Sequence, residues 1–209
     1  MSTDRRSFIK KAAMVVVGVA LGNKVNAMSA KSYSNIIGAN DRINVAIQGL
    51  GRRYQAYKGP ITNKDNNVRL LYLCDVMKSQ RDKAAANFAK SISYKPLLEN
   101  DIRKILDDKD VDAIFMATPD HWHTPGAIMG MQAGKHIYLE KPCSHNMNEN
   151  ELVVAAQEKY NKVVQMGNQQ RSAVETIEIG EKIRKGVIGK AYRAETWYGN
   201  GRGNIGKCQ

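Results

Sequence analysis

The chain has 209 residues, 43% of them apolar and 25% charged, which excludes disordered, fibrous and disulfide-rich classes. Its formal charge of +12 suits nucleic acid, an acidic polysaccharide or an anionic cofactor. The lysines and arginines are scattered and no nucleic-acid motif accompanies them, so a solvated basic surface is the simpler account. Cys74, Cys143 and Cys208 lack C-x-x-C spacing, which speaks against a zinc site or a disulfide framework; Cys74 closes an apolar run and reads as a small buried hydrophobe.

Residues 1–27 read as an address. Thr-Asp-Arg5-Arg6-Ser-Phe-Ile-Lys precedes an apolar stretch, Ala12 to Leu21, and Val25-Asn26-Ala27 offers a small-residue cleavage site. That is the order of a signal peptide, and the paired arginines followed by x-Phe-Ile-Lys resemble the twin-arginine consensus. The apolar run is too short to span a hydrocarbon core of about 30 Å, so no stable membrane anchor is expected once the leader is removed. Export by this route delivers a folded protein, with any cofactor already inserted, to the periplasm. Without the leader, 27 basic and 19 acidic residues remain, about +8. Residues 28–41 are small and polar, a linker.

Residues 42–167 then alternate short apolar runs with helical patterns. Strands are expected at Ile43–Gln48, Val68–Cys74, Val111–Ala117, His136–Leu139, Val163–Met166 and Ala191–Trp197, and helices near 78–90, 99–107, 123–133, 147–160 and 173–185. Apolar strands separated by helices imply a doubly wound, mostly parallel α/β sheet of the Rossmann type. Residues 168–209, with a longer last strand and a glycine-rich end, read as the start of a second, α+β unit.

The first strand runs into Gly49-Leu50-Gly51-Arg52-Arg53-Tyr54. Glycines there let the backbone turn tightly and approach a pyrophosphate; Tyr54 stands where the third glycine of G-x-G-x-x-G belongs, so looser helix–strand packing is expected. Asp75 ends the second strand, 24 residues after Gly51. A carboxylate there accepts hydrogen bonds from ribose hydroxyls and repels a 2′-phosphate, favouring NAD over NADP; helix capping is a compatible role. Thr118-Pro119-Asp120-His121-Trp122-His123 follows the expected strand Val111–Ala117. His121 and His123 lack further ligands, so no metal is expected. Glu140-Lys141-Pro142 follows the next strand, where a lysine can donate to a substrate hydroxyl or relay its proton, although a surface lysine is the plainer reading.

The ordered set Ile-Gln-Gly49-Leu50-Gly51, Thr118-Pro119-Asp120-x-x-His123, Ala133-Gly134-Lys135-His136, Glu140-Lys141-Pro142 and Gly167-Asn168-Gln169-Gln170-Arg171 resembles the glucose–fructose oxidoreductase / inositol dehydrogenase (Gfo/Idh/MocA) family. The resemblance runs from about Ile43 to Trp197. It implies that Gly49, Leu50, Gly51, Arg52 and Arg53 line a pyrophosphate, that Asp75 meets the adenosine ribose, and that Thr118, Pro119 and His123 border the nicotinamide half. It further implies that Glu140 and Lys141 lie between nicotinamide and sugar, with Lys141 assisting proton transfer, and that Gln169 and Arg171 belong to a cofactor- or substrate-facing loop. Family members carry a second domain that supplies a catalytic partner and the oligomer contacts. The expectation is therefore an exported NAD-dependent oxidoreductase of a sugar or sugar derivative, a homo-oligomer at full length, that binds no nucleic acid. Redox-neutral, NAD-assisted glycoside cleavage and a non-catalytic dinucleotide-binding fragment prone to associate are the alternatives.

Overall fold

A computed structural model describes residues 42–197, with Gly199 and Gly201; the leader and the linker lie outside the described residues. Six strands form one sheet: β1 (Ile43–Gln48), β2 (Val68–Cys74), β3 (Leu97–Glu99), β4 (Ala113–Met116), β5 (His136–Leu139) and β6 (Val164–Met166). Every pair is parallel, in the order β3-β2-β1-β4-β5-β6. This is the doubly wound Rossmann arrangement. The order reverses between β1 and β4, which opens a crevice beyond the carboxyl ends of those two strands.

Side chains alternating along the strands feed two cores. On one face Val45, Ile47, Leu70 and Leu73 pack with Tyr57 and Ile61 of α1 (Gln55–Thr62) and Ala84 and Phe88 of α2 (Lys78–Phe88). On the other, Ala46, Ile114, Met116, Ile137 and Leu139 pack with Ile105 of α3 (Ile102–Asp107), Ala127 and Met131 of α4 (His123–Gln132) and Ala156 of α5 (Met147–Tyr160). Each fully buried Ile, Leu or Phe is worth about 1.5–3 kcal/mol. An exposed pair such as Lys78–Asp82 is worth about 0.3–0.5 kcal/mol, so burial decides the fold.

Local signals fix several boundaries. Asp101 caps α3 by accepting from the Arg103 N–H at 3.0 Å. Asn146 caps α5 by accepting from the Glu149 N–H at 3.1 Å, while Glu149 takes the His145 N–H at 3.1 Å, a reciprocal cap. Asn161, at φ 50°, ends α5 in the left-handed conformation.

The structure departs from the sequence expectation at four places. Helix α1 lay unrecognised because Gly59 and Pro60 stand inside it. The expected helix over 99–107 starts later, since Leu97–Glu99 pairs with β2 as an edge strand. Tyr54 does not loosen the fold: its ring is 1% exposed and lies 6.3 Å from Phe88, filling the seam between the two helices. Residues 191–197 form no strand, because no strand among the described residues pairs with them and an unpaired strand has no ladder. Before them, α6 (Val174–Arg184) has no buried residue, and Val174, Ile177, Ile179 and Trp197 are exposed. Among the described residues no helix is long and apolar enough to cross a membrane.

Tyr72 of β2 donates to Asp108 Oδ2 at 2.7 Å, tying the sheet to the loop after α3. This bond, then burial, pushes the phenol up to about 12, while the Asp110 N–H and Tyr72 hold Asp108 below the usual carboxylate range. The folded phenol keeps its proton where the unfolded one has lost it. Its contribution is therefore whole below about pH 10 and fades as pH climbs to about 12. The Asp108 contribution runs the other way, present above pH 3.8 and lost as pH falls below it. Tyr72→Phe is expected to cost about 1 kcal/mol at neutral pH, read by urea unfolding, with the gap to the parent chain closing at strongly alkaline pH.

Candidate functional site

The ladder continues one residue past β1, β2, β4, β5 and β6. Gly49 N–H donates to the Cys74 carbonyl at 2.9 Å, Asp75 N–H to Glu99 at 3.1 Å, and Ala117 N–H to Gln48 at 2.8 Å. Glu140 N–H donates to Met116 at 3.0 Å and Gly167 N–H to Leu139 at 2.7 Å. Each loop thus leaves the sheet from a fixed backbone position. The expected site residues all follow carboxyl ends of β1, β2, β4, β5 and β6, where an open parallel sheet binds ligands.

Gly49 has φ +88°, and a Cβ there would lie 2.5 Å from the Ala117 carbonyl oxygen and 2.7 Å from the Thr118 nitrogen. The β1 and β4 turns therefore touch backbone to backbone, which only glycine permits. A Cβ on Gly51 would meet nothing within 4 Å, so this stretch of backbone is open to close approach. Leu50 is buried, and its N–H donates to Asp75 Oδ2 at 2.7 Å; its role is to anchor the turn to β2. Asp75 Oδ1 accepts the Met77 N–H at 2.9 Å, and each carboxylate oxygen retains lone-pair capacity for a hydroxyl donor. Arg52 is exposed beside the turn.

Arg53, expected along the pyrophosphate, turns its Nε toward the protein's own carboxylate. Its Nε donates to Glu140 Oε1 at 2.6 Å. Glu140 is 3% exposed, and Tyr57 donates to the same oxygen at 3.2 Å. The Gln169 carboxamide lies 3.3 Å away, and the Lys141 N–H reaches Oε2 at 3.1 Å. The hydrogen bond to Glu140 raises the Arg53 guanidinium, and burial followed by Glu140 raises the Tyr57 phenol. The buried carboxylate is thus paired and hydrogen-bonded at both oxygens, as such a charge must be. A Cβ on Gly167 would come within 3.0 Å of both Glu140 Oε1 and the Tyr138 hydroxyl, so the β6 end is built around this carboxylate. Lys141 itself is exposed, and a cis peptide joins it to Pro142.

On the β4 side Thr118 Oγ1 is buried without a partner, and Pro119 is exposed and begins a short 3-10 turn. His123 is 2% exposed, with Nδ1 2.5 Å from the Pro142 carbonyl oxygen and Nε2 2.9 Å from that of Thr118. Its ring is packed beneath the loops. His121 is exposed and points elsewhere, with Nδ1 3.9 Å from Asp120. Among the described residues no group of three or more His, Cys, Asp or Glu could hold a metal ion.

The Ala133–His136 motif does not join the site. Gly134, at φ +82°, ends α4 at the opposite sheet edge, and the buried Lys135 donates to the Asp108 carbonyl there. Cys74 is buried, which pushes its thiol up to about 12. Tyr57 and Tyr138 escaped sequence reasoning. Tyr57 sits in the helix hidden by Gly59 and Pro60, and Tyr138 reads as an ordinary strand aromatic.

An open Gly51 backbone, an exposed Arg52, the orphaned Thr118 oxygen and a carboxylate ending β2 fit a dinucleotide laid across the crevice. Comparison with known proteins agrees. The profile of the Gfo/Idh/MocA oxidoreductase family, described as an NAD-binding Rossmann fold, matches residues 43–168. A glycosyl hydrolase family 109 protein of Shewanella baltica is 28% identical and an alpha-N-acetylgalactosaminidase of Shewanella oneidensis 27% identical; each alignment covers 93% of this chain and 45% of the relative. The chain thus spans about half the length of these relatives. Scyllo-inositol dehydrogenase of Lactobacillus casei, solved with NAD(H) and scyllo-inositol, shares the fold at TM-score 0.62 and 23% identity, over 71% of this chain and 42% of that one. The chain belongs to the Gfo/Idh/MocA oxidoreductase family, whose NAD-binding Rossmann domain residues 43–168 form.

Proposed function

We propose that the chain is the nucleotide-binding part of an exported, NAD-dependent enzyme acting at a hydroxyl-bearing carbon of a sugar or sugar derivative. The observation that carries the reading is convergence: the Gly49–Arg53 turn, Asp75, Thr118 and Lys141 lie on loops of one sheet edge around the β1/β4 crevice. The bound cofactor supplies the hydride acceptor. Asp75 meets the ribose hydroxyls, the open Gly51 backbone and Arg52 face the pyrophosphate, and Thr118 and Pro119 border the nicotinamide half. Lys141, exposed at the end of β5, takes up the proton of the sugar hydroxyl or hands it on. The oligomer contacts and a second proton-transfer group belong to a further domain.

A second reading keeps the same residues and ends in cleavage of a glycosidic bond with no net change in oxidation state. The names of the Shewanella relatives, a glycosyl hydrolase family 109 protein and an alpha-N-acetylgalactosaminidase, favour it. Export, as proposed above, would suit it too, because an enzyme that returns its cofactor to the starting state needs no periplasmic supply.

Three outcomes are expected. Denaturing the purified chain should release NAD in stoichiometric amount by mass spectrometry, and Gly49→Ala should cut that retention about tenfold through the left-handed backbone and the clash with Ala117. Lys141→Ala should lower turnover of a sugar substrate about a hundred- to ten-thousandfold while retaining NAD; unchanged turnover would remove Lys141 from the chemistry. Replacing Arg5 and Arg6 by lysine should leave the protein in the cytoplasmic fraction, and unaltered export would exclude the twin-arginine route.

A further inference from the structure

We infer that Arg53, Tyr57 and His123 are positioning residues for Lys141, which they hold through the residues on either side of it; the inference rests on the reading that Lys141 handles the substrate proton. On one side stands Glu140. Its Oε1 accepts from Arg53 at 2.6 Å and Tyr57 at 3.2 Å, and its Oε2 accepts the Lys141 N–H at 3.1 Å. With 3% exposure it has no face left for a substrate. It acts on the reaction through Lys141. On the other side stands the Pro142 carbonyl, 2.5 Å from His123 Nδ1, whose Nε2 meets the Thr118 carbonyl at 2.9 Å. The ring, 2% exposed, cannot reach a ligand, but it joins the β5 loop to the β4 loop.

Lys141 is thus the exposed residue between two anchored ones. The anchors come from the elements that shape the dinucleotide site: the β1 turn through Arg53, α1 through Tyr57, and the β4 loop through Thr118 and His123. Removing Arg53 strands a buried carboxylate, and removing His123 takes away the ring packed between the Pro142 and Thr118 carbonyls, so the segment opens toward water. Arg53 as a direct pyrophosphate ligand is the competing role, because its side chain is 40% exposed and its terminal nitrogens can turn outward.

Hydrogen exchange by mass spectrometry on the 209-residue chain separates these roles. Arg53→Met and His123→Ala should each speed exchange over residues 139–145 about tenfold, with β1 and β2 unchanged and NAD affinity within about threefold of the parent. Arg53→Lys, which keeps the charge, should restore part of the protection. Tyr57→Phe removes a single hydroxyl and serves where the larger changes fail to fold; it should give a smaller rise in the same segment. In turnover of the enzyme carrying its further domain, kcat should fall while KM for the cofactor holds. Unchanged exchange over 139–145, an equal rise in every strand, or a loss of NAD affinity without local exchange would each overturn the clamp. Failure of the parent chain to bind NAD would sink the functional reading alone, since the exchange pattern is read without cofactor.

Discussion

A carboxylate sealed at the carboxyl edge of a parallel sheet governs the arrangement of this domain. Glu140 is too deeply buried to be satisfied by water, so its oxygens must draw donors from the chain. The donors come from three places: the turn after β1, the helix α1 and the backbone of the next residue. Gly167 at the end of β6 leaves the space for it. One charge therefore sets the spacing between the β1 turn and the β5 loop. The cost of burying it is offset only while all these partners are in place.

The sheet makes such a site possible without strain in the strands. Each strand is held along its length by parallel ladders, and the ladder bond just past it fixes where the next loop starts. Side-chain geometry at the edge then depends on a few short loops rather than on the whole chain. The opposite edge carries Gly134 and the buried Lys135, residues that serve the turn into β5 and the loop after α3. Motif residues of one family thus divide between ligand chemistry at one edge and chain routing at the other.

Much of this was legible from the residues. Apolar strands bounded by turn residues announced β1, β2, β4, β5 and β6, and Gly49, Asp75 and Lys141 all fell at strand ends, where a parallel sheet concentrates chemistry. Helix α1 was hidden because Gly59 and Pro60 depress local propensity while Tyr57 and Ile61 find their stability in tertiary packing. Edge strand β3 was hidden because three residues beside Pro96 carry too little pattern. The pairing of Arg53 with Glu140 spans 87 positions and leaves no local trace. An arginine beside a glycine turn suggests an anion, and only the fold shows that the nearest anion is the protein's own.

Gly167 carries a lesson about how this site can drift over generations. A methyl group there would press on Glu140 and Tyr138 together, so the smallest enlargement at the end of β6 is felt at the end of β5. Relief would need both the Glu140 carboxylate and the Tyr138 ring to give by a few tenths of an ångström, and Glu140 is held by Arg53. Position 167 is therefore coupled to positions 138 and 140 and, through Arg53, to the β1 turn. Lineages that remodel the sugar side of such an enzyme have less latitude here than the exposure of the neighbouring Lys141 would suggest.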